Sequence, residues 1–283
     1  MESTMKRIKL DQLFGREAFG DDPANYHRAR PAYPQATWTA LRERAGLRAG
    51  IDILEIGAGS GLATMALLGH RPRSLVAVEP DGRLADYLRV SIDNPCLDIV
   101  EAAFEAVDLK PASFDLVAAA TMFHWLDPTA SLEKIHGLLR PGGAVALWWN
   151  VFGDAGRPDA FHDETAHLFA SHPSSLSSGD AERLPHGLDA NARVRELAAT
   201  GFIADEPQFL SWTLTLDPAA VRRLYATYSN VTILPPSERF ALLDALEAIA
   251  ASRFSGRVER NMTTAIYIAR RRSLEADHYS TWI

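Results

Sequence analysis

Five short apolar runs, each nearly unbroken rather than alternating, punctuate the first half of the chain: 51–56, 74–78, 97–100, 114–119 and 144–149. A strand covered by helices on both faces reads this way. Helical stretches at 62–68, 83–90 and 128–139 separate most of the runs, a strand–helix rhythm of about 20 to 30 residues that marks βαβ units. Right-handed crossovers put the C-terminal ends of such strands along one edge, where the following turns face a common crevice. The pattern predicts an open α/β sheet.

The second half reads differently. Residues 151–187 are rich in Gly, Pro and Ser and are expected to be an insertion with one short helix over 159–170. A helix over 189–200 is expected to stop at Gly201. The alternation across 209–216 predicts a strand with one wetter face. Helices at 218–228 and 237–252 and a last strand at 261–269 complete the reading.

The chain has 283 residues, 47% of them hydrophobic and 23% charged, enough for a sizeable core. Lys and Arg total 29 against 36 Asp and Glu, a net charge of -7, which weighs against a partner held by bulk contact with phosphates. No apolar run approaches the ~20 residues of a membrane helix, and the N-terminus lacks the apolar segment of a secretion signal. The single cysteine, Cys96, excludes an intramolecular disulfide. The expectation is a cytoplasmic protein without a membrane or nucleic-acid partner.

The chemistry concentrates after the first run. Glu55-Ile56-Gly57-Ala58-Gly59-Ser60-Gly61 joins a strand to a helix. Glycines there allow positive φ and close approach of backbone to a ligand, and the helix start offers free N–H groups. Glu79 ends the next run, where a carboxylate can accept hydrogen bonds from both ribose hydroxyls. The dinucleotide fingerprint needs a small residue at position 62, and this chain has Leu62. That opposes an NAD-dependent oxidoreductase.

With these residues the chain resembles the class I S-adenosylmethionine (SAM) dependent methyltransferases. The turn at 55–61 looks like their first motif, Val76-Ala77-Val78-Glu79-Pro80 like the acidic one that follows, and Phe114-Asp115-Leu116-Val117 and Leu139-Arg140-Pro141-Gly142-Gly143 like later signatures. The segments 26–34 and 123–127 are similar to type 11 small-molecule methyltransferases, including trans-aconitate methyltransferase-like enzymes. The resemblance implies a Rossmann-like, seven-stranded, mostly parallel sheet in the order 3-2-1-4-5-7-6 with the seventh strand antiparallel, helices on both faces and a helical lid. It also implies one domain over 1–283: a helical cap (1–50), a SAM-binding core (51–150), the insertion or lid (151–187) and a C-terminal part (188–283) with acceptor-cap helices.

It further implies roles. Gly57, Ala58, Gly59 and Gly61 would line the methionine and ribose of SAM, Glu55 would sit near the methionyl amino group, and Glu79 with Pro80 would hold the ribose. Ala103 and Phe104 match the adenine loop, with Ala103 where relatives often carry an acid; Ala120 and Thr121 fall beside the methionyl part. Tyr26, Arg30 and Tyr33 belong to a segment that is either a connector packed on the domain or a lid over SAM or an anionic acceptor. Trp125, Trp149 and Tyr228 are candidates for the acceptor pocket, and the two tryptophans serve equally as wall or core.

His124 follows a strand end at the crevice and is the candidate base, its ordinary pKa lying near 6.5. The alternative is that it packs the wall. His162, His167 and His172 are five apart, which spreads them around a helix, so no metal site is expected. The function expected is methyl transfer from SAM to a small-molecule acceptor, first at oxygen (carboxylate or hydroxyl). N- or C-methylation, methylation of tRNA or protein, and SAM binding without transfer are the alternatives. Monomer and homodimer stay equally open.

Overall fold

The computed structural model describes residues 10, 14–15, 17–152, 157–179 and 183–272. Residues 1–9, 11–13 and 16 of the expected cap, 153–156 and 180–182 of the expected insertion, and 273–283 lie outside the described residues.

The chain enters through α1 (Pro23–Ala29), capped by the Asp22 side chain, which accepts from Asn25 N at 2.9 Å. The helix stops at Arg30 because the residue before Pro31 is forced extended (φ -73, ψ 132). After α2 (Gln35–Arg44) come β1 (Asp52–Ile56), α3 (Leu62–Gly69), β2 (Ser74–Glu79), α4 (Gly82–Ser91), β3 (Leu97–Glu101), β4 (Phe114–Ala120), α5 (Pro128–Leu138) and β5 (Leu139–Phe152). Asp81 and Asp127 accept backbone N–H groups at the starts of α4 and α5. The remainder runs through α6 (Ala160–Thr165), α7 (Ala190–Ala199), β6 (Phe202–Ala204), β7 (Gln208–Leu216), α8 (Pro218–Tyr225), α9 (Ser229–Thr232), α10 (Pro236–Arg253) and β8 (Val258–Arg271).

The sheet has eight strands in the order β3-β2-β1-β4-β5-β8-β6, with β7 also paired to β8. Strands β1 to β5 are mutually parallel, and β8 is antiparallel to β5, β6 and β7. The expected order is present, with the strand expected at 209–216 preceded by a short, unexpected one. Residues 202–204 pair with 269–271 and residues 208–216 with 258–266. Pro207, which has no N–H to give, interrupts the edge between them. In β7, Phe209, Ser211, Thr213 and Thr215 are the exposed face. Strand β5 is longer than expected because Arg140–Gly143 loop out within it: the partner of Phe114 is Leu139, that of Leu116 is Ala144.

Apolar clusters cover both faces of the sheet, one around Ile56, Phe123 and Trp149, the other around Trp38, Ile53 and Trp148. Burying one such side chain contributes roughly 1.5–3 kcal/mol. A third cluster, around Phe161, Leu224 and Leu246, holds the C-terminal helices together. There Arg260 of β8 meets Asp159 at 2.8 Å, both almost fully buried, which pins the start of α6 to the sheet.

At the N-terminal end of β1, Asp52 accepts from Arg73 Nε (2.8 Å), Ser74 Oγ (2.8 Å) and Arg140 Nη2 (2.7 Å). Its pKa is driven far below the carboxylate range, first by the Arg73 hydrogen bond. No helix among the described residues is long and apolar enough to cross a membrane.

Candidate active site

At the opposite end of β1 the chain turns through residues 57–61. Gly57 N and Ala58 N both donate to Val78 O (2.8 and 3.2 Å), which ties the end of β1 to β2. A Cβ on Gly57, whose φ is +66°, would stand 2.7 Å from Met122 Cγ; one on Gly59 (φ +58°) would meet nothing within 4 Å. Gly57 therefore allows the loop after β4 to approach, while Gly59 leaves backbone open to the cleft. Gly61 acts elsewhere: its Cβ would strike Leu88 and Ile92, so it lets α3 pack beside α4 and does not line the cleft.

Two buried carboxylates stand beneath the turn. Glu79 accepts from Gly59 N through Oε2 (2.7 Å) and from Asp81 N through Oε1 (3.0 Å). Burial pushes its pKa up to about 7 against those two bonds. Glu55 is 1% exposed, and neither carboxyl oxygen makes a well-formed hydrogen bond. Burial pushes it up to about 8 against the pull of the neighbouring Thr64 hydroxyl, and the Glu79 charge adds to the rise. An orphaned buried carboxylate is costly and marks a site built for a missing partner.

The far wall comes from the loop after β4 and from the N-terminal segment. Thr121 has φ +56°, a left-handed backbone that β-branched residues avoid. Its N–H donates to Trp148 O at 2.7 Å, and its hydroxyl shares a 3.0 Å hydrogen bond with Tyr33. Arg30 lies over the rings of Tyr26 and Tyr228 (5.0 and 5.3 Å) and donates from Nη2 to Thr227 O at 2.6 Å; its buried Nε has no partner. Next comes the 3-10 turn Phe123–Trp125, which carries His124. His124 Nδ1 faces Trp149 Nε1 at 3.2 Å. Burial first, then the neighbouring His186 ring and the charges of Arg30 and Arg193, lower its pKa well below 6.5.

Comparisons with known proteins give the family. The methyltransferase domain family matches residues 54–147. An uncharacterized methyltransferase of Mycobacterium tuberculosis is 34% identical over 235 residues, 83% of this chain and 86% of that protein. Another, from Schizosaccharomyces pombe, is 34% identical over 139 residues, 49% of this chain and about half (54%) of the relative's length. The solved structure of a protein called a type II methyltransferase, from Anaeromyxobacter dehalogenans, has a TM-score of 0.59 at 24% identity, covering 86% of this chain and 97% of that one, a likeness of fold. The chain belongs to the class I SAM-dependent methyltransferases.

For a member of this family the cleft is chemically suited to SAM. The unpartnered carboxylate of Glu55 fits a methionyl ammonium, the open backbone at Gly59 fits close approach, and Glu79 keeps lone pairs for hydroxyl donors. Tyr26, Arg30, Gly57, Gly59, Ala120 and Thr121 line both lobes of the cleft. Glu79, Pro80, Ala103, Phe104, His124 and Trp125 line the larger, and Tyr33, Glu55 and Ala58 the smaller. Trp149 and Tyr228 stand one layer behind: Trp149 is 1% exposed, and the Tyr228 hydroxyl is buried without a partner. Sequence reasoning did not single out Phe19, Met122, Ser175 and Ser177, which also line the larger lobe, or Asn150 and Phe152 at the smaller. Nothing local marks them; the serines are ordinary loop residues until the fold brings them to the cleft. Ser229, beside Tyr228 in a stretch expected to face the acceptor, lines the larger lobe too. No cluster of three metal-ligating residues occurs among the described residues.

Proposed function

We propose that the protein methylates a small-molecule acceptor at oxygen, a carboxylate or a hydroxyl, with SAM as donor. The observation that carries this reading is Glu55: a buried, unpartnered carboxylate beside a glycine turn, in a chain of this family. SAM, when bound, supplies a methyl group on a sulfonium, already an activated leaving group. The work left to the chain is positioning, which can supply up to about 7–11 kcal/mol in favourable cases.

Glu55 holds the methionyl ammonium, and Tyr26, Arg30, Ala120 and Thr121 line its surroundings. Glu79, oriented by Gly59 N and Asp81 N, accepts from the ribose hydroxyls. Ala103 and Phe104 bound the nucleobase, and Lys134 fixes their loop by donating to Phe104 O (2.7 Å) and Val107 O (2.6 Å). Trp125 lines the acceptor end directly, while Trp149 and Tyr228 support it from behind and Tyr33 holds Thr121.

The lining residues Phe19, Ser175 and Ser229 come from the N-terminal segment, the 151–187 segment and α9. Their convergence supports an enclosed, small acceptor, and the net charge of -7 disfavours a nucleic acid. Titration calorimetry with S-adenosylhomocysteine (SAH) tests the reading. Binding with one site per chain is expected, and absence of binding overturns it.

A further inference from the structure

His124 sits in the cleft wall with one ring nitrogen already committed. Its Nδ1 lies 3.2 Å from the indole nitrogen of Trp149. An indole N–H only donates, so Nδ1 must be the bare, accepting nitrogen, and the proton of the neutral imidazole resides on Nε2. The indole cannot turn away. Trp149 is 1% exposed in β5 and packs edge-on against Tyr267 at 5.9 Å, whose hydroxyl donates to Gly187 O at 2.8 Å. Protonating His124 would set an Nδ1–H against the indole N–H.

The other groups facing the ring oppose a second proton too. Arg30 and Arg193 (of α7) add positive charge, while His186, on the 3-10 turn His186–Leu188 and 5.8 Å away ring to ring, is neutral, burial pushing its own pKa down to about 3. No carboxylate is among the charges felt at His124. The Nε2–H has no hydrogen-bond partner among the described residues, and the side chain lines the cleft.

We infer that His124 is a hydrogen-bond donor to the acceptor, fixed in its Nε2–H tautomer by Trp149, and that the acceptor reacts as an ionised carboxylate. The inference rests on the methyltransferase reading above and narrows its acceptor class. The other acids of the cleft are committed elsewhere. Glu55 and Glu79 lie beneath the glycine turn, and Glu105 follows Phe104 in the nucleobase loop. Tyr33 is tied to Thr121, with its pKa raised by burial. A hydroxyl acceptor would need a base that the described residues of the wall do not offer.

A carboxylate does not need one. Its oxygen lone pair forms the new bond to the methyl carbon as the carbon–sulfur bond breaks and that electron pair returns to sulfur. Anion plus sulfonium gives a neutral ester and a neutral thioether, and no proton moves. The Nε2–H donor, with the Ser229 hydroxyl and the one proton left over by the Ser175–Ser177 hydroxyl pair (3.0 Å apart), suits an anionic oxygen pair.

Nitrogen-15 spectra of the intact protein labelled at histidine test the tautomer without any acceptor, with His124 assigned through His124→Gln. A single Nε2–H form that does not titrate between about pH 5.5 and 8.5 is expected. An Nδ1–H form, or titration in that window, overturns the inference even when SAH binds. Loss of SAH binding is instead the failure of the broader reading. In Trp149→Phe the released ring should titrate while SAH affinity is kept; should that variant not fold, the wild-type spectrum still decides.

Methyl-labelled SAM is then offered to a panel of carboxylic acids and their matching alcohols. Label released as methanol by mild alkali, the mark of an ester, is expected; an alkali-stable product, or no ester from any acid, overturns the carboxylate assignment. His124→Leu should lose about 100-fold in kcat, the scale of one well-placed donor, and His124→Gln, which keeps an N–H, should lose about tenfold or less. Equal losses in both would return His124 to the role of a base.

Discussion

Strand β1 carries a carboxylate at each end, and the two are treated in opposite ways. Asp52, at the N-terminal end, accepts from Arg73, Ser74 and Arg140, and its pKa is driven down. Glu55, three residues on, is 1% exposed with both oxygens unpartnered, and its pKa is pushed up to about 8. The fold answers one charge with cations of its own and leaves the other unanswered. The paired end of the sheet contributes to stability. The unpaired end stores an unsatisfied demand that a bound cation can meet. Open α/β sheets place their ligands at the C-terminal ends of the strands, and in this chain the asymmetry can be read on a single strand.

The largest effect should come from removing the other carboxylate of the unpaired end. Glu79→Ala deletes the acceptor assigned to the ribose hydroxyls and frees Gly59 N and Asp81 N. SAH affinity should fall by about 100-fold, the loss of two hydrogen bonds to a charged group. Calorimetry on folded protein checks it. An unchanged affinity breaks the contrast, because the C-terminal end would then be no more functional than the N-terminal one.

Glu55→Gln comes next. It should weaken SAH by about 10- to 50-fold, the worth of one charge-assisted pair, while leaving thermal stability equal or higher. The sign of the pH dependence follows from burial. In the free protein Glu55 keeps its proton up to about pH 8, whereas in the unfolded chain it loses it near pH 4.3. Its contribution to stability is thus full below about pH 4.3 and is lost as pH rises through about 8. SAH binding needs the ionised form, so affinity should rise from pH 6 to pH 8, by up to about tenfold per unit. The Gln variant should flatten both profiles. A wild-type affinity independent of pH would mean that Glu55 is already ionised in the free protein.

What the sequence made legible follows the same division. The parallel strands showed as unbroken apolar runs because both faces are buried. The glycine turn and Glu79 showed because close backbone approach, and the sugar contact proposed for Glu79, call for particular residues at fixed spacing. The short helix α1 and the three-residue β6 carry too few residues for any period to register. The wall residues Phe19, Ser175 and Ser229 meet only through tertiary folding. His124 and Trp149 are 25 positions apart on adjacent segments, so no local pattern announces that one fixes the proton of the other. That Glu55 has no partner is likewise a fact of three dimensions: in sequence it differs little from Asp52.

Asp52→Asn tests the paired end. It weakens charge-assisted bonds from Arg73 and Arg140, both partly in solvent, and should cost about 1–2 kcal/mol of stability. Chemical denaturation at pH 7 measures the cost. Because the wild-type contribution comes from a depressed pKa, it is present above the unfolded pKa, about 3.9, and fades as pH falls through the lower folded value. Wild type and variant should converge in acid. SAH affinity should stay unchanged, which is the mirror image of Glu55→Gln.

Lys134 offers the gentlest probe, since it is a cation answered without any carboxylate. Its ammonium donates to Phe104 O (2.7 Å), Glu105 O (3.2 Å) and Val107 O (2.6 Å) and lies 5.0 Å from the centre of the Phe104 ring. Three donors are thus spent on one loop, the loop assigned to the nucleobase. Lys134→Met keeps most of the side-chain packing and removes those bonds, so the loop should loosen while the core of α5 stays intact. A drop in SAH affinity of about three- to tenfold is expected, near 1 kcal/mol, the usual net worth of hydrogen bonds made at a solvent boundary. The adenosine fragment alone should weaken in the same proportion, because the effect belongs to the nucleobase end. If SAH weakens and adenosine does not, the loop acts on the methionyl end, and the division of the cleft between Phe104 and Glu55 must be redrawn.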